Sequence, residues 1–283
     1  MSLNSVNTNM GAMVALQSLE TTQQQLAVTQ KRISTGYRVA DASDDGAAYA
    51  IAQGIRSSVG ALTSANQQLG NVQGLLSTTQ AGLNNISNMM GSMRDVLVKL
   101  ADSSVQGNDR TNYQHQYTSM LANVKTFVQD ANYDGKTLIG DLTGSSGAFG
   151  RIAVSRNENG STYGVATFSG SALYGSISFT STQLGSAATV AALITATGTF
   201  VSQHNSLGNE LNTIGSSVNY VNNQSTYNND KIHALNSGLG SLIDADLAKE
   251  SAQLTALQIR QQLGTQALSL ANQAPQTLLS LFK

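Results

Sequence analysis

The chain has 283 residues, a net charge of −1, and only 11% charged residues, compared with about 25% in ordinary globular proteins. A nucleic-acid-binding protein usually has a basic surface, and this nearly neutral net charge argues against one. The lack of cysteine excludes disulfides and thiolate metal sites. No apolar run approaches the roughly 20 residues of a membrane span, and the first residues lack the basic and apolar regions of a cleaved secretory signal.

The N-terminal segment is predicted to form an amphipathic helix. Its apolar residues recur at helical spacing and are Val6, Met10, Met13, Leu16, Leu19, Leu26 and Ile33. Glu20 is the only charged residue before Lys31, so the polar side of this helix is neutral. A helix exposed on a soluble monomer normally carries charges that keep molecules apart. The pattern therefore favours a helix that packs against further copies of the chain.

A much longer helix is predicted between Ile51 and Leu100. Its apolar residues recur at steps of three, four and seven, which is typical of a coiled-coil seam. Asp44 and Asp45 precede it, where a capping residue and a first-turn acid suit the helix dipole. A shorter helix follows, with one apolar face between Tyr113 and Ala131.

The middle of the chain, at about 134–186, changes to a β pattern. Apolar residues recur there at every second position, for example at Ile152 and Val154 and again at Ile177 and Phe179. The sequence NENG between alternating segments is typical of a hairpin turn. We therefore predict a small β-hairpin region in this part of the chain.

A second long seam runs from Val190 to Leu242, again in steps of three and four. Two such seams, one from each half, predict an antiparallel coiled coil. The last stripe, from Leu247 to Ala271, is the counterpart of the N-terminal one, and between Glu250 and Lys283 the only charge is Arg260. The predicted fold is mainly α, with long antiparallel coiled-coil helices and a small β-hairpin region at the distal end.

No group of residues predicts catalysis or cofactor binding. The three histidines, His115, His204 and His233, are isolated. The acids Asp244, Asp246 and Glu250 open the last helix, where acidic residues usually cap the helix or offset its dipole. The sequence therefore predicts no enzyme, no metal site and no cofactor.

Three stretches are similar to the terminal signatures of bacterial flagellin. They are LNSVNTNMGAM near the start, RISTGYRVADASDDGAAYAIAQGIRS at 32–57, and DADLAKESAQLTALQIRQQLGTQALSLANQAPQTLLSLFK at 244–283. The resemblance covers most of the chain. It implies an inner core domain of paired terminal helices, 1–35 and 245–283, and a rod domain, 36–244, that includes the β-hairpin region. The chain resembles a minimal form with little or no outer variable domain.

This resemblance implies a structural subunit that polymerises into the helical flagellar filament for swimming motility. It implies export through the flagellar type III apparatus without a cleaved signal peptide, and an extracellular location. The implied partners are further copies of the chain, the filament cap, hook-junction proteins, an export chaperone and the export apparatus, with no nucleic acid or membrane. The residues expected at the polymer core interface are Val6, Met10, Met13, Leu16, Leu254, Leu257, Leu268 and Leu278.

A stretch of the first rod helix bears on immune recognition. Flagellins that a mammalian innate receptor recognises carry a segment resembling Leu-Gln-Arg-Val-Arg-Glu-Leu there. The matching stretch here is MGSMRDV, from Met90 to Val96, which keeps Arg94 and an acid at Asp95. Gly91 and Ser92 replace the long polar side chains, so we expect weak receptor recognition.

Two other functions fit parts of the sequence. The first is the hook–filament junction protein of the same superfamily, which has similar termini; the LAKESAQLTALQIRQQLGTQALSLANQ tail favours the filament subunit instead. The second is a surface flagellin homologue that binds polysaccharide. The lack of tryptophan gives this second alternative no aromatic platform.

Overall fold

The computed structural model describes residues 8–140, 142 and 152–280, with side chains as far as Gln273. In this part of the chain the elements are α1 Met10–Thr35, α2 Gly46–Ala101, α3 Gly107–Asp130, β1 Ile152–Ser155, β2 Thr162–Val165, α4 Gly170–Ile177, α5 Ser181–Gly185, α6 Ala187–Leu193, α7 Thr199–Ile243 and α8 Leu247–Ser280. The predicted fold class, mainly α with one small antiparallel hairpin, is confirmed.

The described residues form two compact units. The first contains residues from 1–58 and 233–283, and the second contains residues from 59–232. Both terminal segments of the predicted inner core domain fall in the first unit. The domain boundaries at 35/36 and 244/245 stay predictions.

In the first unit, α1 and α8 form an antiparallel pair. The Asn9 side chain caps α1 by accepting a hydrogen bond from the Ala12 amide, and its Nδ2 donates to the Ala271 carbonyl at 2.7 Å. At the other end of the pair, Arg32 meets Glu250 at 3.1 Å. These contacts join the start of α1 to the distal part of α8, and the end of α1 to the start of α8.

The facing sides of α1 and α8 contain many small or polar residues. On α1 the buried and half-buried positions of this side are Ala12, Ala15, Leu19, Thr22, Leu26, Thr29 and Ile33. On α8 they are Glu250, Leu254, Leu257, Gln261, Gly264, Leu268 and Ala271. Because both sets step by three and four, each forms one face of its helix. A Cβ added at Gly264 would lie 3.4 Å from Leu19 Cδ1, so the glycine permits close approach here.

The connection between α1 and α2 is held by charge pairs and a helix cap. Lys31 Nζ lies 2.7 Å from Asp41 and 2.9 Å from Asp44, and its ammonium group keeps the pKa of the Asp41 carboxyl well below its ordinary value. The Asp45 carboxylate accepts hydrogen bonds from the amides of Ala47 and Ala48. Asp45 therefore caps α2, so the predicted cap is present. The predicted first-turn acid is absent, because α2 begins at Gly46 and Asp44 pairs with Lys31.

The core of the second unit lies between α2, α3 and α7. The two long helices run antiparallel, since Asn66 donates to Asn229 at 2.7 Å and Ser87 lies 3.4 Å from His204. The predicted seam is buried over most of α2, at Leu62, Leu69, Val72, Leu76, Leu83, Ile86, Met90, Met93, Leu97 and Leu100. Ile51, predicted to lie on the same seam, is 57% exposed, so the seam of buried residues starts later than its spacing indicated.

The NENG turn joins β1 to β2, as predicted. The Asn157 side chain accepts hydrogen bonds from the amides of Asn159 and Ser161 and so shapes the turn. The hairpin packs against α7, where the buried Asn228 donates to the Arg156 carbonyl at 3.0 Å. Its position on α7 is therefore fixed by a satisfied buried amide.

The strand predicted around Ile177 and Phe179 is wrong, because the segment up to Ile177 is helix α4. Ser169 caps this helix by accepting a hydrogen bond from the Ala172 amide. Leu173 and Ile177, four residues apart, are both buried, and α3 contributes a hydrogen bond from the Tyr117 hydroxyl to the Ile177 carbonyl at 2.6 Å. The cap and the four-residue spacing of the buried residues favour a helix here. They outweigh the two-residue alternation that indicated a strand.

The second predicted seam is interrupted where the spacing alone indicated one continuous helix. Helix α6 ends at Leu193 and α7 begins at Thr199. The backbone approaches itself closely there, since a Cβ at Gly198 would lie 2.3 Å from the Leu193 carbonyl oxygen. The chain therefore turns between the two helices, while Val190 and Phe200 both stay in the core.

Replacing Gly170 by Ala is expected to destabilise the second unit. A Cβ at this position would lie 2.5 Å from Val128 Cγ1 and 2.7 Å from Ile139 Cγ2, and overpacking of this kind typically costs about 1–3 kcal/mol. Gly175, on the same helix, has nothing within 4 Å of its added Cβ, so Gly175→Ala is the matched control. Thermal unfolding should show a lower midpoint for G170A and an equal or higher one for G175A. Equal midpoints for G170A and the parent chain would contradict the close packing.

The outward side of α2 is uncharged over a long distance. Between Arg56 and Arg94 the sequence contains no acidic or basic residue. The exposed positions of this stretch are instead largely Asn, Gln, Ser and Thr. These side chains can both donate and accept hydrogen bonds, so this surface is polar but has no electrostatic field from charged side chains.

Candidate assembly surface

The first turns of α1 expose large apolar side chains. Met10 and Met13 are each 58% exposed, Val14 is 62% exposed and Leu16 is 47% exposed. None of the four belongs to the side of α1 that faces α8. Four exposed apolar residues within seven positions are unusual on a soluble helix, because exposed apolar clusters generally mark interaction sites.

Helix α8 also exposes apolar residues on the side away from α1. Ile259 is 53% exposed, Leu263 59% and Leu270 68%. Their steps of four and seven place them on one face, which lies roughly opposite the face formed by residues such as Leu257 and Gly264. We call the following set the outer apolar faces: Met10, Met13, Val14, Leu16, Ile259, Leu263 and Leu270.

The outer apolar faces lie on opposite sides of the α1–α8 pair. Each helix uses one side to meet the other, so its outward residues point away from the pair. A pair that is apolar on both outer sides has a place for a neighbour on each side. A single isologous contact would cover the same patch on both molecules and close a dimer, whereas two different patches permit an open chain of subunits.

The eight residues predicted at the polymer core interface fall into three groups. Met10, Met13 and Leu16 lie on the outer apolar faces, where no residue of the described chain covers them. Leu257 is buried, and Leu254 and Leu268 are half-buried, on the face of α8 that packs against α1. Val6 and the side chain of Leu278 lie outside the described residues. The role of all eight in a polymer stays a prediction.

Sequence reasoning missed four members of the outer apolar faces. They are Val14, Ile259, Leu263 and Leu270. The apolar stripe predicted for each helix does not include these residues. The signal was present in the sequence, since the α8 residues recur at steps of four and seven beside the stripe that meets α1.

Glu250 lies in the first turn of α8, as predicted for an acid that offsets the helix dipole, and it has a second role. Its side chain is only 8% exposed and pairs with Arg32 across the α1–α8 contact. Asp246 performs the capping instead, by accepting hydrogen bonds from the amides of Ala248 and Lys249. Breaking a buried pair of this kind leaves an uncompensated charge, so Arg32 and Glu250 favour one alignment of α1 on α8.

The stretch compared with the receptor contact lies on α2 within the second unit. Ser92, Arg94 and Asp95 are exposed and Gly91 is half-buried, while Val96 is buried in the core. An added Cβ at Gly91 would meet nothing within 4 Å. The space beside Gly91 is therefore open, and a longer side chain there would project from the helix.

The described residues do not form a metal site or a membrane span. Within the described ranges, no cluster of three or more His, Cys, Asp or Glu residues could hold a metal ion. None of the helices described is long and apolar enough to cross a membrane. The outer apolar faces are thus the feature of the described chain that most needs a partner.

Comparison with known proteins identifies the class of protein. Residues 6–143 match the bacterial flagellin N-terminal helical region, and residues 197–282 match the bacterial flagellin C-terminal helical region. The chain belongs to the bacterial flagellin family, whose members are structural subunits of the flagellar filament. It is a minimal flagellin without a large variable domain, as the sequence predicted.

Individual relatives support this assignment along the whole chain. The chain is 31% identical to flagellin FljM of Caulobacter vibrioides, with 100% of each protein covered. It is 32% identical to a flagellin of Brucella melitensis, with 99% of each covered. Its fold is also similar to that of a protein described as a flagellar hook-associated protein of Vibrio parahaemolyticus, with a TM-score of 0.55 and 17% identity over 71% of this chain and 100% of the other. At that identity the likeness concerns the fold alone.

Proposed function

We propose that this chain builds a flagellar filament by burying its outer apolar faces against neighbouring subunits. The observation that carries the proposal is the presence of exposed apolar residues on both outer sides of the α1–α8 pair. Burial of apolar area contributes roughly 25 cal/mol per Å², so each covered face stabilises the polymer. Two unlike faces per subunit allow growth to continue without closing.

The composition around the outer apolar faces is suited to a helix pair that is surrounded by neighbouring subunits. Repeated copies of a charged helix would place like charges close together, which is unfavourable. Apart from Glu20, α1 carries no charge before Lys31, and Arg260 is the only charge on α8 after Glu250. Neutral polar residues on the remaining sides can hydrogen-bond to a neighbour or to water.

The proposal gives the predicted domains and interface residues distinct roles. Residues 1–35 and 245–283 form the inner core domain, and 36–244 form the rod domain. Met10, Met13 and Leu16 contact neighbouring subunits, while Leu254, Leu257 and Leu268 join the two terminal helices of one subunit. Val6 and Leu278 extend the same contacts towards the chain ends.

The wider cellular setting of the subunit follows from membership of the family. The subunit acts outside the cell, without enzymatic activity, after export through the flagellar apparatus with the help of a chaperone and without a cleaved signal peptide. The filament cap and the hook-junction proteins contact it at the two ends of the filament. Swimming motility of the cell is the phenotype that reports whether the filament functions.

The hook–filament junction protein remains the rival function. The full-length match to flagellins of comparable length favours the filament subunit. The second rival, polysaccharide capture, finds little support, because the stacked pair Tyr163 and Tyr220, with ring centroids 4.0 Å apart, joins the hairpin to α7. That aromatic surface is already used within the molecule.

Electron microscopy of the purified full-length protein tests the proposal. Concentrated protein, seeded with short fragments of its own polymer or of flagella from the source cells, should form filaments many subunits long. A protein that only binds the ends of pre-formed flagellin filaments would be a junction protein. A protein that stays monomeric at every concentration, and that binds polysaccharide in a titration, would favour the second rival.

We also expect this protein to stimulate the mammalian innate flagellin receptor weakly. Gly91 and Ser92 remove long polar side chains from the middle of the comparable stretch, where contacts that dominate binding usually lie. A cell reporter assay should give at least about tenfold lower potency than a flagellin with the long side chains, since losing one such contact costs more than about 1.4 kcal/mol. A variant with Gly91→Gln and Ser92→Arg should recover part of the signal. Equal potency of the parent chain and the long-side-chain flagellin would contradict the expectation.

A further inference from the structure

The methionines of the chain are divided between two very different environments. Six of the seven lie in the described residues. Met90 and Met93 are fully buried in the core of the second unit, and Met89 and Met120 pack against that core. Met10 and Met13 are instead each 58% exposed on the first turns of α1.

The position of the exposed pair is fixed by the backbone of the same turn. Asn9 caps α1 and ties its start to the Ala271 carbonyl of α8, and a Cβ at Gly11 would lie 3.9 Å from Ala271 Cβ. The side of the turn that contains Gly11 therefore faces α8. Met10 and Met13, three residues apart, are adjacent on the outward side.

We propose that Met10 and Met13 form a paired oxidation site, and that their conversion to sulfoxides blocks subunit assembly. The oxidant is a hydroperoxide such as hydrogen peroxide. The thioether sulfur attacks one peroxide oxygen, the O–O bond breaks as the S–O bond forms, and the departing hydroxide takes up the remaining proton to leave as water. Sulfur is oxidised by two electrons and the peroxide is reduced by two.

The effect on assembly follows from the change in polarity. A thioether is a soft apolar group suited to an adaptable contact, whereas a sulfoxide is polar and disrupts methionine-rich contacts. Burying a polar group without a partner costs enough to weaken binding by about tenfold or more. Two sulfoxides on neighbouring positions therefore act on the same contact. Thiol-dependent methionine sulfoxide reductases reverse the modification.

This inference rests on the proposed function, because it assumes that the outer apolar faces are buried in the polymer. It adds a chemical switch to that surface. In the monomer both sulfurs are open to the oxidant, while in the polymer the neighbouring subunit covers them. Oxidation is accordingly a property of the unassembled subunit.

The experiment treats full-length monomer with dilute hydrogen peroxide, removes the peroxide, and measures seeded elongation together with peptide mass spectrometry. Met10 and Met13 should be oxidised well before Met90 and Met93. Elongation at a fixed subunit concentration should fall by about tenfold or more and return after treatment with both sulfoxide reductases. Assembled filaments treated in the same way should be oxidised more slowly at Met10 and Met13.

Matched variants separate this site from the other methionines. Peroxide should leave the elongation rate of the variant M10L/M13L at the value that the same variant has untreated, while M89L/M120L should lose elongation as the parent chain does. Oxidised parent protein that elongates at the untreated rate would overturn the inference, as would a loss of elongation in treated M10L/M13L relative to untreated M10L/M13L. Untreated parent protein that never elongates would contradict the proposed function itself, and with it the inference, so the two failures are distinguishable.

Discussion

Ile259→Asp is expected to abolish filament formation while leaving the isolated subunit folded. Ile259 is 53% exposed and lies on the side of α8 away from α1, so a carboxylate at this position stays hydrated in the monomer. In the polymer the same carboxylate would be buried without a partner, which typically costs at least about 3 kcal/mol. That energy corresponds to more than about a hundredfold increase in the concentration needed for elongation. Seeded elongation and circular dichroism of the monomer provide the two measurements.

The neighbouring residue Gln258 offers a matched control for this change. Gln258 is also exposed, but it is a quarter-turn away from Ile259 on the polar side of α8. Gln258→Asp introduces the same group at nearly the same height and should reduce elongation far less. If both variants elongate equally well, the outer side of α8 does not face a neighbouring subunit.

Removal of residues 254–283 is expected to give a soluble, helical chain that forms no filaments. The deletion takes away most of α8, including its contact with α1 and its share of the outer apolar faces. The second unit has its own continuous core from Leu69 to Val221, so its fold should survive. Circular dichroism should show a helical loss close to that expected for the deleted segment, and electron microscopy should show no polymer.

The thermal transition of the second unit serves as the internal control for the truncated chain. Gly170→Ala should lower that transition by the same amount in the truncated and full-length proteins, because Gly170 and the deleted segment belong to different compact units and the effects of independent sites add. Truncated protein that elongates seeds as fast as the full chain would show that α8 is dispensable for assembly. Loss of the transition itself would mean that the deletion unfolds the second unit.

The long helices could be predicted from sequence because their spacing is sustained. A seam repeated from Leu62 to Leu100 leaves few alternatives to a buried helical face, and Asp45 marked the start of α2 through simple capping chemistry. Short segments were less predictable. Around Ile177 an alternation of two residues indicated a strand, but the Ser169 cap and contacts with α3 produced a helix.

The candidate site was predicted only in part, for a physical reason. Residues such as Leu257 and Met13 look alike in sequence, since both are large, apolar and helically spaced. Only the contact between α1 and α8 distinguishes a residue that joins the two helices from one that points outward. The sequence indicated that the terminal helices had an apolar stripe, but a second apolar side, containing Ile259 and Leu263, was assigned no role.

The uncharged stretch of α2 has a consequence for how the protein responds to its surroundings. Electrostatic screening lengths fall from about 30 Å at 0.01 M salt to about 3 Å at 1 M, so surfaces joined by exposed ion pairs strengthen or weaken as salinity changes. Between Arg56 and Arg94 there is no charge to screen. Any neighbour that packs on this side is held by hydrogen bonds and apolar contacts instead. The same stretch also has no side chain that titrates between acidic and alkaline water, so a contact made on it has no ion pair of its own to lose when salinity or pH changes.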